Sequence, residues 1–164
     1  MDSFKFKAVL GISRISMGLI FLWAFFDKLL GWGFATAPEQ AWIAGGSPTS
    51  GFLQFGVHGP FASFFNSLSG NGLVDWLFML GLLFIGVSLT LGIFMRLGSW
   101  SGIIMLFLMY LAVGLPPEHH PFIDDHFMYI LVILLLLWGN AGKYFGLGNA
   151  WYNSSFVQKH KMFI

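Results

Sequence analysis

Long apolar stretches alternate with short polar segments along the chain, and their lengths predict membrane-spanning helices. At about 1.5 Å per residue, a helix needs about 20 apolar residues to cross a hydrocarbon core of about 30 Å. This pattern predicts an all-α integral membrane protein, a four-helix transmembrane bundle in one domain comprising residues 1–164. The predicted spans are residues 8–30, 73–95, 97–115 and 126–141.

A segment of about residues 31–71 separates the first two spans and is too apolar for a solvated linker. Pro38 predicts the start of a short helix that ends near Gly45. A second short amphipathic helix is predicted where large apolar residues recur at i, i+3, i+4 and i+7. These residues are Phe61, Phe64, Phe65 and Leu68. We expect this segment, called the cap below, to form an interfacial layer over the external end of the bundle.

Composition supports a membrane location and excludes several chemistries. Only 9% of the 164 residues are charged, against about 25% in soluble domains, and the mean hydropathy is +0.76. The sequence contains no cysteine, which excludes a thiolate nucleophile, a disulfide relay and cysteine-bound haem or iron–sulfur clusters. No glycine-rich phosphate loop or Gly-x-Ser-x-Gly elbow is present, and no nucleic-acid partner is predicted.

The charged residues divide between the two sides of the predicted bundle. The basic residues on one side are Lys5, Lys7, Arg14, Arg96, Lys143, Lys159 and Lys161. The acids on the other side are Asp27, Glu39, Asp75, Glu118, Asp124 and Asp125. The positive-inside rule therefore predicts that both termini are cytoplasmic, and polar chemistry is expected on the external face.

Arg14 lies inside the first predicted span, where a guanidinium is costly unless it snorkels, pairs or lines a polar cavity. Asp2 is the one acid on its side of the membrane. A ligand oxygen, a lipid phosphate or a backbone carbonyl must therefore be its partner, unless the side chain snorkels to the headgroups. Arg14 is accordingly a candidate binding residue.

Asp27 and Lys28 place an amine in the acidic external face. Lys28 either forms a structural ion pair with Asp75 or Asp124, or provides an ammonium that binds an anion or a carbonyl. His58, in the cap, either reaches the same end of the bundle or hydrogen-bonds a loop carbonyl. The sequence leaves these alternatives open.

Residues 118–126 hold three histidines and three acids. Imidazole and carboxylate are suitable metal ligands, but their spacing matches no specific motif, so no metal site is predicted. Asp125 and His126 should enter the fourth helix, where burial would bring their pKa values toward those of a general acid and base near neutral pH. The weaker metal candidates are His119, His120 and Asp124.

Short motifs in the chain resemble those of the DoxX/DoxD membrane protein family. Residues 14–28, from Arg-Ile-Ser-Met-Gly to Phe-Phe-Asp-Lys, look like the opening of that family. Residues 47–53, 59–61 and 124–126 are more similar to its DoxD branch. The resemblance covers roughly residues 8–148.

The resemblance implies the membrane subunit of a thiosulfate:quinone oxidoreductase in a prokaryotic cell membrane. Such a subunit oxidises thiosulfate at the external face, passes electrons to membrane quinone and works with a second small subunit. The candidate catalytic residues are Asp27, Lys28, Asp125 and His126. Lys28 would attract the thiosulfate dianion, while Asp125 and His126 would handle protons. The residues expected to bind quinone are Arg14, Trp23, Trp32, Trp42 and His58.

The alternative function is a non-catalytic DoxX-like subunit that binds membrane lipid or quinone and scaffolds a larger redox complex. Glycine-lined helix faces also permit a homo-oligomer. The two functions differ in whether the external acids and histidines carry out chemistry.

Overall fold

The computed structural model describes residues 3–113, 116–117 and 120–160, and its regular structure in those ranges is entirely helical. The α-helices are α1 (Ser3–Leu30), α2 (Ala62–Asn66), α3 (Gly72–Leu91), α4 (Met95–Ala112), α5 (Asp125–Trp138), α6 (Gly148–Tyr152) and α7 (Ser155–Lys159). By length and composition, three of them, α1, α3 and α4, can cross a membrane. The molecule is therefore a helical membrane protein.

The fourth apolar helix, α5, is shorter than the sequence predicts. It has 14 residues, which correspond to about 21 Å at 1.5 Å per residue, less than a hydrocarbon core of about 30 Å. The helix ends at Trp138, and Asn140 then takes a left-handed conformation with φ 51°. A fourth complete span is thus not confirmed.

The turn between α3 and α4 lies earlier in the chain than expected. Gly92 adopts a left-handed conformation with φ 77° and ends α3 at Leu91, as glycine does at helix C-termini. Because α4 begins at Met95, Arg96 belongs to its first turn and does not separate the two helices. The expected end of this span at residue 115 falls outside the described residues.

Close helix packing depends on small residues, as expected for a protein in lipid. In sequence order, α1 packs against α3, α3 against α4 and α4 against α5. A Cβ atom added at Gly18 would lie 2.5 Å from the backbone nitrogen of Thr90. One added at Gly86 would lie 2.9 Å from the backbone nitrogen of Leu22. These glycines therefore allow the backbones of α1 and α3 to approach each other.

The two ends of this helical assembly carry opposite charges. The cap end is where α1 ends and where α3 and α5 begin, and it contains Asp27, Asp75 and Asp124, with Lys28 as its basic exception. The hairpin end is where α3 turns into α4, and it contains Arg96 and Lys143. The charge separation expected from the sequence is therefore present along the helix axes.

The cap contains more irregular structure than its sequence pattern predicts. The expected helix from Pro38 consists of two 3₁₀ turns, Pro38–Gln40 and Trp42–Ala44, and ends at Gly45 with φ 90°. A π-helical turn follows at Phe52–Gly56. The second expected helix is α2, which buries Phe65. The cap thus folds against the helices by burying a few of its aromatic and apolar side chains.

Candidate functional site

A cavity of about 500 Å³ lies at the cap end, where the cap meets α3 and α4. This volume is within the range of about 300–1,000 Å³ found for small-molecule sites. The described residues that line it include one charged group, Lys28, and two hydroxyl groups, those of Thr49 and Ser101. The larger apolar lining residues are Phe52, Leu53, Phe65, Leu68, Leu77, Phe78, Ile85, Ile104, Met105, Leu108 and Met109. We call this space the apolar cavity.

Lys28 lies in the last turn of α1 and contributes its amine to the apolar cavity. Its Nζ atom is 6.0 Å from the centroid of the Phe78 ring, a distance at which a ring face attracts a cation. Within the described part of the chain, no ion pair joins Lys28 to Asp75 or Asp124. The ammonium is therefore available to an acceptor oxygen in the cavity.

Asp27 holds the beginning of the cap in place. Its carboxylate is 1% exposed and accepts hydrogen bonds from the backbone nitrogens of Phe34, at 3.2 Å, and Ala35, at 2.9 Å. These bonds satisfy a buried charge that would otherwise be costly. Asp27 therefore has a structural role, and its catalytic role stays a prediction.

Asp75 attaches the next part of the cap to the first turn of α3. Its Oδ1 atom accepts hydrogen bonds from Ser47 Oγ at 2.9 Å, Thr49 N at 3.2 Å and Thr49 Oγ1 at 2.5 Å. Thr49 also lines the apolar cavity. Sequence spacing does not predict this anchor and indicates Asp75 only as a possible partner for Lys28. Its position at the start of a helix, opposite a Ser-Pro-Thr-Ser turn, was the available signal.

The three tryptophans expected at a quinone ring belong to two separate clusters. Trp23 and Trp32 have ring centroids 5.1 Å apart, and both side chains are about half exposed. Trp42 instead packs against Trp76 of α3, with ring centroids 4.6 Å apart. None of the three lines the apolar cavity. The structure thus does not bring them together around one ligand.

His126 pairs with Asp124 at the start of α5. Its Nδ1 atom is 2.6 Å from Asp124 Oδ2, while Asp124 Oδ1 caps the helix by accepting from the backbone nitrogen of Phe127 at 2.9 Å. Asp125, the other acid–base candidate, is exposed, and its catalytic role stays a prediction. An N-cap aspartate has one oxygen left over for the first turn, and this signal could have identified Asp124.

The His120 side chain forms hydrogen bonds within the loop that precedes α5. Its Nδ1 atom accepts hydrogen bonds from the backbone nitrogens of Phe122, at 3.1 Å, and Ile123, at 3.0 Å. His119 lies outside the described residues. In the portion of the chain that is described, no three histidine or carboxylate side chains are grouped to hold a metal ion.

His58 contributes to the cap through its main chain. Its backbone nitrogen donates a hydrogen bond to the carbonyl oxygen of Ala112 at 3.0 Å, which connects the cap to the end of α4. Its imidazole is exposed and does not line the apolar cavity. A role for His58 in ligand binding stays a prediction.

Arg14 is fully buried near the hairpin end. Its guanidinium donates to four backbone carbonyls, those of Leu89, Thr90 at 2.9 Å, Tyr144 at 2.9 Å and Phe145 at 3.0 Å. Backbone carbonyls are one of the partner types that the sequence left open. Arg14 therefore connects α1 to the end of α3 and to the segment after α5. Its assignment to a quinone site stays a prediction.

The fold and the cavity define a helical membrane protein with an apolar site that is open on one side, where the lining residues Leu77 and Ile104 are more than half exposed. Comparison with protein-family models, curated proteins and solved structures finds no match to this chain. The resemblance to the DoxX/DoxD family rests on its short sequence motifs and stays a prediction.

Proposed function

We propose that this chain is a membrane subunit that binds quinone in the apolar cavity and belongs to a larger redox complex. The observation that carries the proposal is a cavity of about 500 Å³ whose described lining has Lys28 as its single charged group. A quinone joins an apolar ring and tail to carbonyl acceptors. The lining fits both parts, because apolar side chains suit the ring and an ammonium donates to a carbonyl oxygen.

Two donors can orient such a ligand. Lys28 supplies a charge-assisted hydrogen bond, which is stronger in an apolar cavity than in water. The Thr49 hydroxyl already donates to Asp75, so the hydroxyl of Ser101 is the second donor that the described lining offers to a ligand. Bound quinone supplies the capacity to accept two electrons and two protons. Lys28 would stabilise the negative charge that develops on the oxygen nearest to it.

The specific reaction proposed is thiosulfate oxidation, for which the sequence resemblance is the support. Two thiosulfate ions lose one electron each and join through a new sulfur–sulfur bond as tetrathionate. The two electrons, with two protons, convert quinone to quinol. His126 is suited to proton transfer because Asp124 holds its Nδ1 atom at 2.6 Å and leaves Nε2 to exchange a proton. Since the sequence has no cysteine, a second subunit is part of this proposal.

A non-catalytic subunit that binds membrane lipid or quinone is the second candidate function. Among the described residues, no hydrogen bond or ion pair connects Lys28 with the Asp124–His126 pair. Asp27 and Asp75 are both occupied in fastening the cap. This separation of the cation from the proton-transfer pair favours binding without catalysis, and a lipid tail would suit the same apolar wall.

The proposal includes a four-helix transmembrane bundle in a prokaryotic cell membrane with both termini cytoplasmic. Two observations support α5 as the fourth span. It packs along α4 and also contacts α1, and the basic residues concentrate at the hairpin end. The positive-inside rule assigns that end to the cytoplasm.

Quinone binding is tested with the purified full chain in detergent and a short-chain ubiquinone analogue as the probe. Lys28→Met should weaken its affinity by about tenfold or more, the usual value of a hydrogen bond to a charged group, while Lys28→Arg should retain most of it. Ser101→Phe should fill the cavity and reduce binding. Lys7→Met, which removes an exposed lysine from the same helix, is the matched control. Equal affinity in all five proteins would refute the quinone site.

Catalysis is tested separately by thiosulfate-dependent reduction of the same analogue, with the chain alone and with any polypeptide that copurifies. His126→Ala should lower turnover and leave quinone affinity unchanged if the pair transfers protons. Binding of the analogue without turnover in either preparation would support the non-catalytic function instead.

A further inference from the structure

A second cavity, of about 390 Å³, lies at the hairpin end between the α3–α4 turn, the end of α5 and α6. It differs from the apolar cavity because two cationic side chains, Arg96 and Lys143, line it. The aromatic residues that line it are Trp100, Trp138, Trp151 and Tyr152. We call it the basic–aromatic pocket.

The two cations of this pocket have no acidic partner among the described residues. Among the described residues, the side-chain ion pair is the one between His126 and Asp124, which lies at the opposite, cap end of the helices. The other described acids are in the cap, the last turn of α1 or the first turns of α3 and α5. Lys143 Nζ lies 4.6 Å from the centroid of the Tyr152 ring, a contact that orients an ammonium without neutralising it. The pocket therefore has two positive charges that a bound anion would balance.

The backbone that carries Lys143 is held in place by close packing. A Cβ atom added at Gly142 would lie 2.6 Å from Met95 Cγ and 3.0 Å from the carbonyl oxygen of Gly92. Asn149 Nδ2 donates a hydrogen bond to the carbonyl oxygen of Lys143 at 3.1 Å. Because the backbone of this segment is already ordered, little backbone conformational entropy is lost when a ligand binds.

The aromatic rim indicates the depth of the pocket in the membrane. Trp138 is 73% exposed and Trp100 is 50% exposed, and exposed tryptophans of membrane proteins concentrate where the hydrocarbon meets the headgroups. Phosphate groups of lipids lie at the same level. The pocket thus combines two cations that have no acidic partner in the described ranges with a position at which phosphate is abundant.

We infer that the basic–aromatic pocket binds a phosphate group between Arg96 and Lys143. The planar guanidinium of Arg96 suits two phosphate oxygens, and Lys143 adds a compact charge. The phosphate can be carried by an anionic phospholipid such as phosphatidylglycerol or can be free inorganic phosphate. This site is independent of the quinone proposal, because it lies at the opposite end of the helices.

The test uses the purified full chain in two arms. In the first, native mass spectrometry measures retention of phosphatidylglycerol against zwitterionic phosphatidylcholine. In the second, tryptophan fluorescence follows a titration with inorganic phosphate. The Arg96→Gln, Lys143→Gln double variant should weaken binding roughly 30-fold, from about 1 kcal/mol per basic residue near a lipid surface. The Arg96→Lys, Lys143→Arg variant should keep most of the affinity.

The matched control is the Lys7→Gln, Lys159→Gln double variant, which removes two exposed lysines outside the pocket. Selective retention of phosphatidylglycerol that the pocket variant alone loses would assign a lipid phosphate. Saturable binding of inorganic phosphate with no lipid selectivity, lost in the same variant, would assign a free phosphate. Equal binding by the pocket variant and the control in both arms would overturn the inference, with helical circular dichroism showing that each variant is folded.

Discussion

Substitution of Arg14 by methionine tests a fully buried side chain that donates to four backbone carbonyls. Methionine keeps a long, unbranched side chain but removes every donor of the guanidinium. Arg14 has no exposed surface, and its donors reach the carbonyls of Leu89, Thr90, Tyr144 and Phe145. The substitution therefore leaves four acceptors without this partner.

The expected loss of stability follows from those four acceptors. A buried acceptor left unsatisfied costs about 1–3 kcal/mol, so the lower limit for four is about 4 kcal/mol. Removal of the guanidinium also removes the cost of burying its charge, which offsets part of this loss. We expect the free energy of unfolding to fall by about 3 kcal/mol, equivalent to a decrease in Tm of about 6–12 °C for a chain of this size.

The measurement is reversible unfolding of the purified chain in mixed detergent micelles, followed by circular dichroism and by thermal scans. Lys7→Met is the control, since it removes one exposed positive charge from the same helix and should change stability by less than about 0.5 kcal/mol. If Arg14→Met unfolds at the same detergent composition as Lys7→Met, the carbonyl contacts do not stabilise the fold, and the reasoning is wrong.

Three further predictions concern the cap, the helix contact and the topology. Asp75→Asn keeps the oxygen that accepts all three hydrogen bonds, so it should lower the free energy of unfolding by less than about 1 kcal/mol. Asp75→Ala removes that oxygen and should lower it by about 2–3 kcal/mol and make the cap sensitive to protease. Equal digestion of the two variants would contradict the role of Asp75 as an anchor. Gly18→Ala should destabilise the chain by about 1–3 kcal/mol, because its Cβ would overlap the backbone of α3, whereas Gly51→Ala, with open space around it, should be neutral in the same unfolding assay. Since the sequence has no cysteine, Ser63→Cys and Ser155→Cys each introduce a unique labelling site. An impermeant maleimide should label Ser63→Cys from outside intact cells and should label Ser155→Cys only after lysis. Labelling of both from the same side would exclude α5 as a fourth span.

The sequence predicts the helices well because their signal is local. Apolar runs of suitable length locate α1, α3 and α4, and Gly92 marks the end of α3 once its left-handed conformation is considered. The end of α5 is harder to delimit, since the predicted span continues to residue 141 while the helix ends at Trp138, just before Gly139 and Asn140. Periodicity alone does not reveal where the backbone leaves a helix.

The candidate site depends on contacts that sequence spacing does not encode. Lys28 was identified from its isolated charge, but the apolar cavity around it forms only when the cap packs against α3 and α4. The sequence also indicates His126, and the structure pairs it with Asp124, because the N-cap position turns that carboxylate toward the first turn of α5. Sequence spacing alone does not distinguish Asp124 from Asp125 as its hydrogen-bond partner.

The contacts of Arg14 also constrain the order in which the chain can become stable during synthesis. Its first acceptor, Leu89, is 75 residues downstream, and Tyr144 is 130 residues downstream. An arginine at the centre of a spanning helix adds about 2.5–3.5 kcal/mol to the cost of membrane insertion, and one nearer to the hairpin end, as Arg14 is, adds part of this. The ribosome therefore delivers α1 to the membrane long before its guanidinium can be satisfied, and a nascent chain that stops before residue 144 lacks two of the four acceptors. All four hydrogen bonds of Arg14 in α1 can form only after Tyr144 and Phe145 have been synthesised.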